Sequence, residues 1–571
     1  MSKKFLGMAV LLAAVLVLAG CPDDPGNQDV YTKTMGDDPG IGLMSAQTAG
    51  SIFDYTEEAG GITINRLKNA VVLKGYLGSS TARAATGNTL FFIDTIGGKP
   101  VKKILANAFN PREGAQSLVD AGVTKVKLPA TITAIADGAF ANTGLEELII
   151  PDVVQTQLGA AILSSIPVTV KKSITLRVLD YADIANETAY KEKIWNTFIE
   201  KNPYITIVPE YLFLESFHNK VAQYAADGKL DEVDVLYSWP SGSHAELLYP
   251  SSETPLLKNL TTMTDWSTFK TGYTEKSLDP AAQAGGNNFV GIIPAGTTAT
   301  HVLYVNKTLL QQHGLTPATT YDDLKTQVAT LNGAGKKTVL MSSDPWVSQS
   351  CLFSMIAGRF CGENWEQNPN FASTEFKDAL TFVKTLYADG VIVKDGYTPD
   401  GDGSDYGNAK SRFMQGEAAY LIDGDWAGGS FKDDIDIMVF PEILGTIFNK
   451  STSGVLSTGF GISADIADPE KIAAAWDLVK WLSGTEVQIL RLEKGEMATP
   501  SRKGIDINSL NLSPVQKKLT TFDTKYEKTT AVIDGVFPAT VSSATNTGLS
   551  VIRSNPSANV DDIAADIQAA L

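Results

Sequence analysis

From Ser173 onward, runs that fit buried strands alternate with patterns that fit helices, and this order restricts the fold more than any other feature. Ile174-Thr175-Leu176-Arg177-Val178-Leu179-Asp180-Tyr181 is rich in branched apolar residues. Tyr190, Ile194, Trp195 and Phe198 then recur at helical spacing. Ile205-Thr206-Ile207-Val208 is again strand-like, Phe213, Phe217, Val221 and Tyr224 share a helix face, and Asp234-Val235-Leu236-Tyr237 closes the set. A β-α-β-α-β order predicts a parallel sheet covered by helices on both faces. Ligands of such sheets bind beyond the carboxyl ends of the strands. The loops at Tyr181 and at Ser238-Trp239 are therefore the expected binding positions.

The chain ahead of this region has another texture. Between about Ala46 and Lys172 it is made of short strands and turns with an internal near-repeat. Leu128-Pro129 and Ile150-Pro151 lie 22 positions apart. Asn107-Ala108-Phe109 and Gly138-Ala139-Phe140 lie 31 apart, so the first unit carries nine extra residues. Strand alternation at Val126/Leu128 and Leu148/Ile150 buries one face, and each Phe is expected inside a coil, stacked on the next unit. These residues, with Gly61-Ile62-Thr63-Ile64 and Gly75-Tyr76-Leu77-Gly78, resemble bacterial surface-antigen-type leucine-rich repeats. Two to three units make a short solenoid, near the lower limit for stacking.

The first twenty residues do not belong to a fold. Lys3 and Lys4 precede a nearly uncharged run from Phe5 to Gly20 that ends in Leu18-Ala19-Gly20-Cys21. The run is shorter than the roughly 20 apolar residues of a membrane span and has the layout of a secretory signal. It resembles a lipoprotein signal, which implies lipid on Cys21. Pro22 to Asp38, rich in Pro, Gly and Asp, follows as a solvated tether. The expected organisation is 1–20 signal peptide, 21–45 tether, 46–172 repeat domain and 173–571 two-lobed domain. Net charge is −17, and −19 once the two signal lysines are lost, which disfavours nucleic acid and anionic lipid surfaces as partners. If lipid occupies Cys21, Cys351 and Cys361 remain. Outside the cytosol they form either a disulfide or two buried thiols, and the sequence leaves both open.

Later blocks carry a second resemblance. Leu256-Leu257-Lys258-Asn259-Leu260 is followed by Val290-Gly291-Ile292-Ile293-Pro294 and Val302-Leu303-Tyr304-Val305-Asn306-Lys307. Thr320-Tyr321-Asp322-Asp323-Leu324 then places a good N-cap before a helix with acidic residues at its positive end. Phe413-Met414-Gln415-Gly416-Glu417-Ala418-Ala419-Tyr420 leads to Gly424-Asp425-Trp426, with Tyr420 where the family pattern has Met. Gly459-Phe460-Gly461-Ile462-Ser463, Ala473-Ala474-Ala475-Trp476 and Pro500-Ser501-Arg502 complete the order. Together they resemble the family 1 extracellular solute-binding proteins, carbohydrate receptors of ABC importers. The resemblance implies an α/β, two-lobed periplasmic-binding-protein-like fold with a hinge, here preceded by a small β-solenoid-like domain. It implies a lipid-anchored monomer of the cell envelope that delivers a sugar or oligosaccharide to a permease, with no cofactor and no chemistry on the solute.

A pyranose offers apolar C–H faces to aromatic rings and rim hydroxyls to carboxylates, hydroxyls and backbone groups. The expected ligand contacts are Tyr181 and Trp239 in the first lobe, Trp346 with Asp425 and Trp426 in the second, and Thr297, Thr298, Thr458 and Gly459 where the chain crosses between them. Each aromatic residue also has the simpler use of packing a core, and Trp195, Trp476 and Trp481, within helical patterns, are expected to do so. Gly333-Ala334-Gly335-Lys336-Lys337-Thr338 lacks the spacing of a phosphate loop. Asp400 to Asp405 lacks the far acidic ligand of a calcium loop. His218, His244, His301 and His313 form no zinc pattern, so no metal site is expected. The alternative function is a surface adhesion lipoprotein that uses the repeat face.

Overall fold

The structure is a computed structural model. It describes residues 43–44, 53–58 and 61–67, and from 89 onward all but short stretches, the longest being 111–117, 159–165, 249–254, 279–288 and 393–404. Cys21, the signal and the tether lie outside the described residues, as do Gly75 to Gly78 and Asp400 to Ser404.

The N-terminal module is built on the two repeat periods. Strands Lys125–Lys127 and Glu147–Pro151 pair in parallel with Lys125 opposite Glu147 and Lys127 opposite Ile149, the 22-residue offset. Strands Lys99–Ile104 and Ala134–Ile135 pair in parallel with Ile104 opposite Ile135, the 31-residue offset. Phe109 and Phe140 stack at 4.8 Å and 9°, and Phe92 meets Phe109 edge-on at 5.3 Å. Asn107 and Gly138 occupy equivalent turns with φ of 58° and 72°, a left-handed conformation that Gly and Asn tolerate best.

The first lobe contains the expected alternation. Strand Thr169–Tyr181, helix Ile184–Lys201, strand Ile205–Leu212, helix Glu215–Asp227 and strand Val235–Ser238 follow in order, and the strands pair in parallel. Trp195 and Phe198 fill the core beneath them, and the Trp195 indole N–H donates to the Tyr211 hydroxyl at 2.6 Å. Trp476 is buried in the same core, and Trp481 packs at its edge. The domain boundary expected at 172/173 falls inside the first strand, which begins at Thr169. The consecutive lysines 171 and 172 end the apolar pattern without ending the strand.

The second lobe is a mixed sheet in the order Lys337–Leu340, Ala418–Gly424, Ala299–Asn306, Thr452–Val455 and Thr529–Thr530, with Ile435–Met438 also paired to Ala299–Asn306. Thr320 caps helix Tyr321–Gly333, and Asp323 completes a reciprocal capping box. The unusual Tyr420 is buried; its hydroxyl donates to Gln327 and accepts the Ala318 N–H, both at 2.9 Å.

The chain crosses between the lobes at neighbouring places that are bonded to one another. Ala295 N–H donates to the Thr458 carbonyl at 2.9 Å, Thr297 N–H to the Thr499 carbonyl at 2.8 Å, and Gly296 bridges Pro500. At Gly296 a methyl group would lie 2.8 Å from Ser457 Oγ and 2.9 Å from the Thr499 carbonyl. These segments therefore lie against one another at the hinge, with no room for a side chain at 296.

The disulfide allowed by the sequence is not formed. Cys351 and Cys361 are free and lie in one unbroken helical run from residue 345 to 361. Ten residues of helix span about 15 Å, against a Cα separation limit of about 7 Å for a disulfide. Burial pushes the Cys351 thiol well above its usual range, and burial with Glu375 nearby pushes Cys361 up to about 12. Alkylation of the unfolded chain without reductant is therefore expected to label both residues. Protection of both thiols until a reductant is added would contradict this arrangement.

Candidate functional site

Two groups of aromatic side chains stand at strand ends, one in each lobe. In the first, Tyr181 ends the strand Thr169–Tyr181 and Trp239 follows the strand Val235–Ser238. Tyr181 stacks against Tyr237 at 5.8 Å and 14° and meets Trp239 edge-on at 5.6 Å. Phe217, from the helix behind, supports both. Tyr181 and Trp239 are half-buried, whereas Phe217 is fully buried. The Tyr237 hydroxyl is hydrogen-bonded to Thr458 Oγ1, which ties this wall to the returning hinge segment.

The first wall includes three residues that were not expected there from the sequence, Tyr237, His218 and His244. His218 Nδ1 and His244 Nε2 lie 2.8 Å apart, and the His244 ring sits edge-on to Trp239 at 4.9 Å. Burial, with His218 second, holds His244 down to about 3, so this imidazole is neutral at physiological pH. Tyr237 had a usable signal, since it and Trp239 are two apart at a strand end and so share a face. His244 had none, because the sequence around it follows no strand or helix periodicity.

In the second lobe Trp426 and Trp346 lie 6.1 Å apart, and His301 meets Trp426 edge-on at 5.7 Å. His301 is opposite Gly424 in the antiparallel pair of Ala299–Asn306 with Ala418–Gly424. Gly424 is required there: a methyl group would lie 2.2 Å from the Trp426 ring, which folds back over it. His301 is buried, its Nδ1 is 2.6 Å from Ser453 Oγ, and burial lowers its pKa to about 3. Trp346 and Trp426 are both half-buried.

Asp425 serves a different surface from its neighbour Trp426. It lines a cavity of about 270 Å³ at the hinge with Thr297, Thr300, Thr499, Phe522 and Tyr526. Its carboxylate accepts the backbone N–H groups of Thr300 and Trp426, but burial dominates and raises its pKa to about 7. A raised acid holds its proton in the folded state after the unfolded chain has released it. Its stabilising contribution is full below the ordinary value of 3.8 and is lost as pH rises towards about 7. His244 and His301, held neutral, act oppositely and lose stability as pH falls below 6.5. Asp425→Asn should isolate the first effect. The melting temperature of the variant relative to wild type is expected to rise from about pH 4 to about pH 8; a constant difference would refute the assignment.

The remaining hinge candidates divide. Thr458 is half-exposed and bonded to Tyr237. Thr297 lines the cavity, and its hydroxyl donates to the Pro500 carbonyl at 2.8 Å. Thr298 lies outside the described residues. Gly459 has a packing role in the sheet. It is buried between Ser238 and Pro294 in the sheet, and a methyl group there would come within 1.9 Å of the Ile293 carbonyl. Among the described residues no cluster of three metal-ligating side chains occurs.

Residues 181–489, more than half of the chain, match the model of the bacterial extracellular solute-binding proteins. The chain belongs to this family. Solved structures share the fold of this solute-binding protein. One, from Caldanaerobius polysaccharolyticus and described in work on xylan utilization, is 19% identical, with a TM-score of 0.58 over 69% of this chain and 99% of its own. A maltose-bound T. maritima protein is 18% identical, with a TM-score of 0.54 over 69% and 98%. A chitin oligosaccharide binding protein is 18% identical, with a TM-score of 0.57 over 69% and 97%. At such identities the likeness is one of fold. Nearly the whole of each counterpart is spanned by about two thirds of this chain, so this solute-binding protein carries sequence beyond theirs. No curated protein matches it.

Proposed function

We propose that this solute-binding protein captures a sugar or oligosaccharide between its two lobes and delivers it to the permease of an ABC importer, anchored to the cell envelope by lipid on Cys21. The observation that carries the reading is the pair of half-buried aromatic walls at strand ends, Tyr181 with Trp239 in one lobe and Trp346 with Trp426 in the other. Such rings suit the C–H faces of a pyranose, and the buried neutral imidazoles behind them add no charge to repel or attract an ionic solute. The known sugar ligands of proteins with this fold support the class: maltose in one and a blood group A-trisaccharide in another. No step of the cycle alters the solute. The chain acts as a monomer, and its N-terminal module serves as a spacer, a second binding surface, or both.

Thermal-shift screening of the intact protein tests the proposal, with maltotriose, xylotriose and chitotriose set against a tripeptide and spermidine. A ligand present at 100 times its Kd stabilises by about 2.7 kcal/mol, which is a measurable shift. A shift with a neutral saccharide is expected. A shift with only the peptide or the polyamine would overturn the sugar assignment.

A further inference from the structure

The expected organisation placed a boundary between the repeat module and the first lobe at 172/173, and the structure puts a continuous sheet there. Strand Thr169–Tyr181 belongs to both units. Its first five residues pair in parallel with Glu147–Pro151 of the module, Thr169 opposite Glu147 and Ser173 opposite Pro151. Its last eight pair in parallel with Ile205–Leu212 of the lobe, Ile174 opposite Ile205 and Tyr181 opposite Leu212. One eight-stranded sheet thus runs from Thr89–Phe91 in the module to Ile293–Pro294 beside the hinge.

Side chains fasten the same seam. Lys127 of the module is 1% exposed, and its ammonium donates to the carbonyl of Ile205 in the lobe. Lys125 donates to the Tyr204 hydroxyl at 3.1 Å and pairs with Glu147 at 3.3 Å. Phe91 lies within the lobe's own hydrophobic core rather than the module's, and the Lys127 ammonium sits 5.6 Å from its ring. Ser173 and Thr206 hydroxyls meet at 2.7 Å in the buried junction. Swivelling about residue 173 would break ladder hydrogen bonds on both sides and take the Ile205 carbonyl away from a buried ammonium.

We propose that the repeat module and the first lobe are one rigid, cooperatively folding body, and that the second lobe alone moves against it. The consequence for transport rests on the solute-receptor reading: the module fixes the orientation of the first lobe relative to its tether, and closure on solute swings the lobe of Trp346 and Trp426. The rigidity itself does not depend on that reading.

The test uses the full-length protein without ligand. With Cys21→Ser, Cys351→Ala and Cys361→Ala in place, so that no native thiol remains, spin labels at Glu146→Cys in the module and Lys229→Cys in the lobe report one distance by pulsed electron paramagnetic resonance. One narrow distance distribution is expected, together with a single thermal transition for hydrogen-exchange probes in 125–151 and 205–212. Lys127→Met is expected to lower the midpoint of both sets of probes together. A broad or multiple distribution would overturn the proposal, as would a module that melts separately while Lys127→Met leaves the lobe unchanged. If the Lys127 variant does not fold, the distance distribution of the labelled parent still decides. Absence of sugar binding would leave every one of these outcomes unaltered.

Discussion

Arg359→Met is expected to lower folding stability by about 3–5 kcal/mol, read as a fall in the urea midpoint at unchanged slope. Arg359 is fully buried at the end of helix Ser354–Cys361. Its guanidinium faces no carboxylate within ion-pair distance among the described residues. It donates instead to three backbone carbonyls, from Nε to Ser451 at 2.9 Å and from the two terminal nitrogens to Pro441 and Phe440 at 2.7 Å. Its own carbonyl receives the N–H groups of Ile447 and Phe448. The residue therefore holds the whole 440–451 segment that feeds strand Thr452–Val455 and the hinge beyond it. Burial lowers the guanidinium to about 9, so it remains charged at neutral pH. Methionine fills much of the volume but leaves three carbonyls without a donor. Arg359→Lys should be nearly as harmful, because one ammonium lacks the planar fork that reaches three carbonyls at once. A loss below about 1 kcal/mol would show that solvent or rearrangement replaces these bonds.

Trp426→Ala carries the largest expected effect on binding. Its ring is half-buried, rests over Gly424 and lies beside Trp346 and His301. An aromatic anchor in such a wall contributes about 2–4 kcal/mol to binding, so affinity for the sugar found by screening should fall about 30- to 1,000-fold. The fold should survive, because the strand Ala418–Gly424 keeps its partners on both sides. Trp476→Phe is the matching control. It removes the 2.6 Å indole bond to Asp265 within the first-lobe core, and should reduce stability while leaving affinity intact. Equal losses of affinity in the two variants would mean that Trp426 acts through the fold.

Much of this arrangement is legible in local pattern. Strand and helix order from Ile174 to Tyr237, the Thr320 cap and the 22- and 31-residue registers all follow from contacts between residues close in sequence or repeated in it. The seam at Thr169–Tyr181 was not legible. Lys171 and Lys172 are exposed and interrupt the hydrophobic pattern, while the partners that extend the strand belong to the preceding repeat. The free state of Cys351 and Cys361 depends on an unbroken helix between them, which spacing alone does not disclose. Asp425 and Trp426 adjoin in sequence, which suggests a single stacking-and-carboxylate unit. The turn after Gly424 sends one to the hinge cavity and the other to the aromatic wall. The steric need for glycine at 459, the close approach of the Ile293 carbonyl, comes from a strand far away in sequence. The His218–His244 pair joins residues 26 apart, a contact that only the tertiary fold creates.

The central claim is that one solute bridges both aromatic walls. Calorimetric titration of the intact protein with maltotriose, xylotriose and chitotriose, repeated on Trp239→Ala and Trp426→Ala, tests it most directly. The account predicts saturable binding of one saccharide per chain, with affinity lost at least about 30-fold in each variant although their tryptophans lie in different lobes. Binding that survives both substitutions, or no saccharide binding at all, would contradict it.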